Sequence, residues 1–228
     1  MMTNEGQVRV KVSGNFACWT RPENKVERVS YECMTPSAAR NILDAICWRP
    51  EMRWVVTQIS VLKPVAFQGL RRNEVQSKVS LADLKNGRRM AAGAGSEEVT
   101  QRNTLALRDV AYVIEAYPHV YEPTAENHAT KYMAMLNRRV ERGQCYHRPA
   151  LGCREFAAEF EPVAEGDRPH AVDIELGLML YDIVFRPEGT RAVFFEAKLR
   201  QGVLDTRPEL AIPDAKLREE VLACSCKR

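Results

Sequence analysis

The sequence predicts an α+β protein, and three observations predict it. The chain opens with period-two alternation, later stretches are rich in β-branched and aromatic residues, and two amphipathic segments with recognisable ends fall between them. The resulting order is β-α-β, an insertion, then β-α. That order predicts a ferredoxin-like, RNA-recognition-module-like N-terminal domain over residues 1–145, carrying a basic hairpin or loop insertion at about 68–103. A small antiparallel β-rich C-terminal domain over 146–228 follows from the paired strand-like runs near the end.

Each element has its own warrant. Gln7-Val8-Arg9-Val10-Lys11-Val12 alternates as a strand with one buried face does. Thr35-Pro36 reads as an N-cap followed by proline at the first helical position, and Ile42, Leu43 and Ile46 supply the apolar stripe. This helix should end near Trp48-Arg49-Pro50, because proline pushes the preceding residue out of the helical region. Residues 53–62 read as a strand, and so do 104–121. Between them, residues 68–103 carry seven basic residues and the run Ala91-Ala92-Gly93-Ala94-Gly95-Ser96, which predicts a protruding hairpin or loop. Thr124 is placed to cap a second helix running to about Arg142, with Gly143 as its stop. Ile174 to Phe185 and Arg191 to Leu199 should pair around Pro187-Glu188-Gly189.

The chain has 228 residues, an apolar share of 45% and no run near the roughly 18 apolar residues of a membrane span, so a soluble, cytoplasmic protein is expected. Its net charge of +3 is uneven. Residues 1–110 hold 17 Lys and Arg against 11 Asp and Glu, while residues 111–228 hold 16 against 19. The first half is therefore the expected polyanion face. Seven cysteines form an odd, scattered set of thiols. A zinc site drawn from Cys145, His147, Cys153, Cys224 and Cys226 lacks two ligand pairs at finger-like spacing, so neither metal nor other cofactor is expected.

Two constellations point to chemistry. On a helical wheel of the second helix, Ala129, Met133, Leu136 and Val140 form the core stripe, and His128, Lys131, Tyr132 and Arg139 share the flank. A proton-transfer group, a fixed cation and a phenol within one turn meet the needs of metal-free RNA cleavage: deprotonation of a 2′-hydroxyl, stabilisation of the phosphorane and protonation of the 5′-oxygen. Downstream, Asp182 followed by Glu196-Ala197-Lys198 matches a Mg²⁺-nuclease pattern of two carboxylates and a lysine. On the residues alone, the plainer reading is that Tyr132 packs at the core margin while His128, Lys131 and Arg139 are solvated, and that the downstream set is an alternating polar strand face.

Residues Val26 to Tyr31, Met34 to Pro50, Ile59 to Pro64, Asn103 to Val110 and the Lys131 helix together resemble the CRISPR-associated precursor-RNA processing subunit of type I-C Cascade. The resemblance implies metal-independent cleavage of precursor CRISPR RNA, retention of the crRNA 5′ handle, and contacts with the Cascade backbone subunit and large subunit in antiviral defence. Relatives use a Tyr before the Trp at the first helix's end and a Lys-His pair on the second helix. Cys47, Lys131 and Tyr132 stand at those positions here. Lys131 ranks first as charge stabiliser, Tyr132 second as acid or positioner and His128 third as general base. The expected RNA-contacting set is Arg21, Lys25, Arg28, Trp48, Arg49, Arg71, Arg72, Arg88, Arg89 and Arg139. A non-catalytic subunit capping the handle is the alternative from another class.

Overall fold

A computed structural model describes residues 6–24, 26–75, 82, 85, 99–186 and 189–223. Among these residues nine strands form one hydrogen-bonded sheet. The strands are β1 (Val8–Ala17), β2 (Arg28–Val29), β3 (Met52–Val61), β4 (Phe67–Val75), β5 (Val99–Val120), β6 (Glu159–Pro162), β7 (Ile174–Arg186), β8 (Gly189–Arg200) and β9 (Val203–Asp205). The helices are α1 (Pro36–Ile46), α2 (Ala129–Glu141), α3 (Pro208–Ala211) and α4 (Ala215–Ala223). The main strand path is β6-β1-β5-β3-β9-β8-β7, with β2 and β4 also lying along β5. All pairings are antiparallel except the short β2–β5 ladder.

The long strand β5 organises this arrangement. Its second half pairs with β3 from Tyr112 to Val120, and its first half pairs with β4 from Val99 to Leu107. The change of neighbour falls around Asp109, whose φ of 50° is a left-handed conformation that an aspartate tolerates better than most residues. The β4–β5 hairpin forms the described base of the 68–103 insertion. Lys78, Arg88 and Arg89 lie outside the described residues.

The alternation expected of the opening strand is present: Val8, Val10 and Val12 are buried, while the residues between them are half-buried. Thr35 caps α1, its Oγ1 accepting from the Ala38 amide at 3.2 Å, and Pro36 opens the helix as expected. Central β3 is buried along almost its whole length, so both its faces are covered. The β7–β8 hairpin is a long one, joined to the sheet because β9 pairs with both β3 and β8. Tyr181 donates to the Thr206 carbonyl and Thr206 donates to the Val56 carbonyl, which fastens the end of β9 beside β3.

Two expectations for α2 are corrected. Thr124 does not cap the helix; its Oγ1 accepts from Asn127 in the preceding turn, and His128 is the N-cap. The core stripe is Tyr132, Leu136 and Val140, four residues apart, so Tyr132 belongs to the core and Ala129 and Met133 lie at its margin. The expected stop holds: Gly143 has φ +61°, a conformation that costs glycine little.

One buried ion group ties three distant segments together. Asp182 on β7 accepts from Arg40 on α1 through Nε at 3.1 Å and Nη2 at 3.0 Å, and also from Arg53 on β3. Arg40 reaches Asp44 with its remaining nitrogen at 2.8 Å. All three members of the central group are buried. Glu196 and Lys198, by contrast, project from the exposed face of β8, whose alternate residues Val193, Phe195 and Ala197 are buried. The Asp182, Glu196 and Lys198 set is therefore not brought together, and Lys198 pairs with Glu175 and Glu196 instead. Removing one member of a buried charge group leaves the others unpaired. Asp182→Ala should lower stability by roughly 3–5 kcal/mol in urea denaturation, whereas Glu196→Ala should leave the midpoint where it is.

A cationic helix junction as candidate functional site

The end of α1 lies across α2, whose Tyr132 senses the charges of Arg49 and Glu51 and whose Arg139, in its last turn, bonds the Ile46 carbonyl. The predicted site residues divide between these two segments. Cys47 is the C-cap of α1 and is fully buried. Its carbonyl accepts from Trp54 Nε1 at 2.8 Å, and burial pushes its thiol up against the opposing pull of Arg139 and Arg49. Trp48 follows and is exposed at 38%. The other two tryptophans, Trp19 and Trp54, are buried.

From α2, His128 Nδ1 accepts from the Lys131 amide at 3.4 Å, which makes a long and weak cap bond. This geometry places the proton of the neutral ring on Nε2. Lys131 Nζ donates to the Glu126 carbonyl at 2.8 Å and lies 5.5 Å from the centre of the Tyr132 ring. The Tyr132 hydroxyl donates to Asn127 Oδ1. Burial, then the charge of Glu51, raises the phenol above its usual range, while Arg49 opposes. Tyr132 is thus a proton holder whose base form is disfavoured.

The cations of this junction share one property. Arg49 donates to the Trp48 carbonyl at 3.4 Å, Arg139 to the Ile46 carbonyl and Lys131 to the Glu126 carbonyl. None of the three makes an ion pair among the described residues. A backbone carbonyl orients a cation without neutralising it, so the positive potential of the group stays available to an anion. The Arg139 bond also satisfies a carbonyl at the end of α1, where the helix dipole favours a cation.

The remaining predicted cations are placed differently. Arg21 pairs with Glu32 at 2.8 Å and its guanidinium stacks 4.5 Å from the Tyr31 ring centre. Arg28 and Arg72 share Glu74 at 3.3 and 3.4 Å, and Arg72 also meets Glu155. Arg71 is exposed on β4. Lys25, Arg88 and Arg89 lie outside the described residues.

Sequence reasoning missed the partner of these two arginines. The Cys153 sulfur accepts from Arg28 at 3.2 Å and from Arg72 at 3.6 Å, and Cys18 packs beside it. Gly152 permits this contact: its φ is +85° and a Cβ there would sit 1.9 Å from the Cys18 carbonyl oxygen. The Cys18 hydrogen bond and the two guanidiniums bring the Cys153 thiol down to about 6, while Cys18 keeps its proton. No sequence signal marks the pair, because Cys18 and Cys153 are 135 positions apart. Among the described residues no group of three or more His, Cys, Asp or Glu side chains is disposed to hold a metal, and Cys224 and Cys226 lie outside them. No helix of the described residues is long and apolar enough to cross a membrane.

The fold and this junction define a mixed α/β protein, dominated by an antiparallel sheet, that carries un-neutralised cations on α2 and just after the end of α1. The family model described as CRISPR-associated protein (Cas_Cas5) matches residues 8–216, and the chain belongs to that family. It is 40% identical over 215 residues to a protein of Mannheimia succiniciproducens named CRISPR pre-crRNA endoribonuclease Cas5d, covering 89% of this chain and 95% of that one. A protein of the same name from Thermus thermophilus is 41% identical over 224 residues, covering 89% and 92%. Among solved structures, one titled crystal structure of a CRISPR-associated protein superposes with a TM-score of 0.64 at 22% identity, covering 93% of this chain and 98% of that one. The Streptococcus mutans protein SMU1763c superposes with a TM-score of 0.61 at 18% identity, covering 87% and 91%. Both likenesses concern the fold.

The Cys153 thiolate gives a pH-dependent prediction. A thiol whose folded value lies below its unfolded one stabilises the fold fully above about pH 9, and that contribution disappears as pH falls through about 6. The urea midpoint of the parent should therefore drop more than that of Cys153→Ser between about pH 8.5 and about pH 5.5. Parallel curves for the two proteins would show that Cys153 is a neutral thiol throughout.

Proposed function

We propose that this chain is an endoribonuclease that cuts precursor CRISPR repeat RNA without a metal and holds the crRNA 5′ handle as a subunit of a type I-C Cascade complex. The observation that carries this reading is the trio Lys131, Arg49 and Arg139, whose charge is oriented by carbonyls and left un-neutralised. The names of the two relatives at 40% and 41% identity support the substrate. The strand order β6-β1-β5-β3, with α1 and α2 as crossovers, supports a ferredoxin-like N-terminal unit. Because its fourth strand β6 is Glu159–Pro162, that unit reaches past the expected boundary at 145 to about 162, and the β-rich second unit begins after it.

The reaction balances within the RNA and the protein. The 2′-oxygen gives its proton to His128 and attacks the adjacent phosphorus, a phosphorane forms, and the P–O5′ bond breaks as the 5′-oxygen takes up the proton that His128 had gained. The products are a 2′,3′-cyclic phosphate and a 5′-hydroxyl. Lys131 stabilises the added phosphorane charge. His128 accepts the 2′-hydroxyl proton at Nδ1, the nitrogen that its weak cap bond releases. Tyr132 fixes Lys131 through its ring and stays protonated. The insertion at 68–103 contacts the Cascade backbone subunit, and the large subunit binds the handle-bound protein.

A purely structural capping subunit is the second reading, favoured by the burial of Cys47 and the engagement of the Tyr132 hydroxyl. Incubating purified protein with repeat RNA in EDTA decides between them. Cleavage should proceed and yield the cyclic phosphate, and the matching DNA, which lacks the 2′-hydroxyl, should survive. A strict Mg²⁺ requirement would sink the metal-free reaction. Lys131→Ala should slow single-turnover cleavage roughly 10²-fold, the scale of one lost electrostatic donor, with handle binding little changed.

A further inference from the structure

Beside the junction, the outer face of α1 and the turn after α2 enclose a pocket of about 360 Å³. That is within the roughly 300–1,000 Å³ typical of small-ligand sites. Its walls include Trp48, Tyr146 and His147, and its polar groups include Asn41 and Asp44. Tyr146 is exposed at 69%, and its ring meets His147 edge-on with centres 4.3 Å apart. The backbone fixes this wall, since the amides of Tyr146 and His147 both donate to the Ala45 carbonyl, at 2.9 and 3.0 Å.

The polar side is equally specific. Asn41 and Asp44 are three residues apart on α1 and so share one face of it. Asp44 Oδ2 is held by Arg40 at 2.8 Å, and Oδ1 has no partner among the described residues. The Asp44 carboxyl is pushed up by burial, as expected of a carboxylate short of donors. Aromatic side chains and a carboxylate oxygen open to a donor, lining one pocket, are complementary to a flat ring that carries N–H groups on its edge.

We propose that this pocket receives one unstacked guanine of the bound RNA, held against Trp48 and Tyr146 and read by Asp44 and Asn41. Guanine alone presents two adjacent N–H donors, N1 and N2, on its pairing edge, and O6 beside them accepts from the Asn41 amide. Adenine and cytosine offer one donor next to a ring-nitrogen lone pair, and uracil one donor between two carbonyls, so each sets an acceptor against the Asp44 carboxylate. Stacking on aromatic side chains tolerates every base, which leaves the choice to the edge contacts. Trp48 directly follows the C-cap of α1, so a guanine seated here lies beside the junction and fixes the register of the chain passing over Lys131.

The proposal rests on the RNA-binding reading above, and two measurements separate them. Gel shift with repeat RNA tests binding as such. Fluorescence of Trp48, the exposed tryptophan, tests the pocket when short single-stranded oligonucleotides bearing G, inosine, A, C or U are added. The G oligonucleotide should quench most strongly and bind about tenfold tighter than the A oligonucleotide, equivalent to about 1.4 kcal/mol. Inosine, which lacks the N2 amine, should fall between. Trp48→Phe should abolish the quench. Asn41→Ala, at an exposed position, and Asp44→Asn should both remove the preference for G while a quench persists. Equal quenching by all bases, or no quench while the gel shift is positive, would overturn the guanine pocket alone. Absence of both signals would overturn the RNA-binding reading and the pocket with it.

Discussion

Much of the architecture turns on the carboxylate of Asp182 and the two guanidiniums that converge on it. Arg40 comes from α1, Arg53 from β3 and Asp182 from β7, so one buried group fixes a helix, the sheet centre and the C-terminal hairpin relative to one another. A buried ion group is a poor source of net stability, since desolvation of the charges offsets their attraction. What it supplies is position. The bidentate fork of Arg40 tolerates little sliding or rotation of α1, whereas an apolar contact at the same place would tolerate both.

The position of α1 matters because the helix works at both ends. Its stripe of Ile42, Leu43 and Ile46 enters the core, and its last turn delivers Cys47 and Trp48 to the junction. Arg40 also holds Asp44, the carboxylate of the neighbouring pocket, so the same arginine that locks the fold orients a polar group at the surface. Across the junction, α2 sends Arg139 from its last turn to the Ile46 carbonyl and keeps Lys131 in its first turn. Neither helix alone would gather this potential; their end-to-side meeting does so.

How much of this could be read from the sequence depended on the range of the interactions involved. Thr35-Pro36, the Val8-Val10-Val12 alternation and Gly143 signal through local rules, and each stands where expected. The start of α2 misled because Thr124 satisfies a turn just upstream and leaves the cap to His128, and the buried face misled because Tyr132, at the 132/136/140 spacing, fits the core stripe as well as Met133 does. Asp182 resembled a metal ligand because its spacing from Glu196 and Lys198 suits one. Its true partners lie 142 and 129 positions away, and no local pattern reports them. The same holds for the thiolate of Cys153, whose donors Arg28 and Arg72 come from β2 and β4.

The distribution of charge shows most clearly why residue counts and usable potential differ. The basic excess of residues 1–110 suggested a broad polyanion face, yet Arg21, Arg28 and Arg72 are matched by Glu32, Glu74, Glu155 and the Cys153 thiolate. A phosphate approaching those arginines would compete with anions already in place. Lys131, Arg49 and Arg139 are bonded to carbonyls, and a phosphate there would find full charges already oriented. Among the described residues, preorganised and un-neutralised charge is therefore a smaller set than the basic count, and Lys131, Arg49 and Arg139 belong to it. A few oriented cations among neutralised neighbours hold a bound anion in one place, because the neutralised groups offer it no competing position.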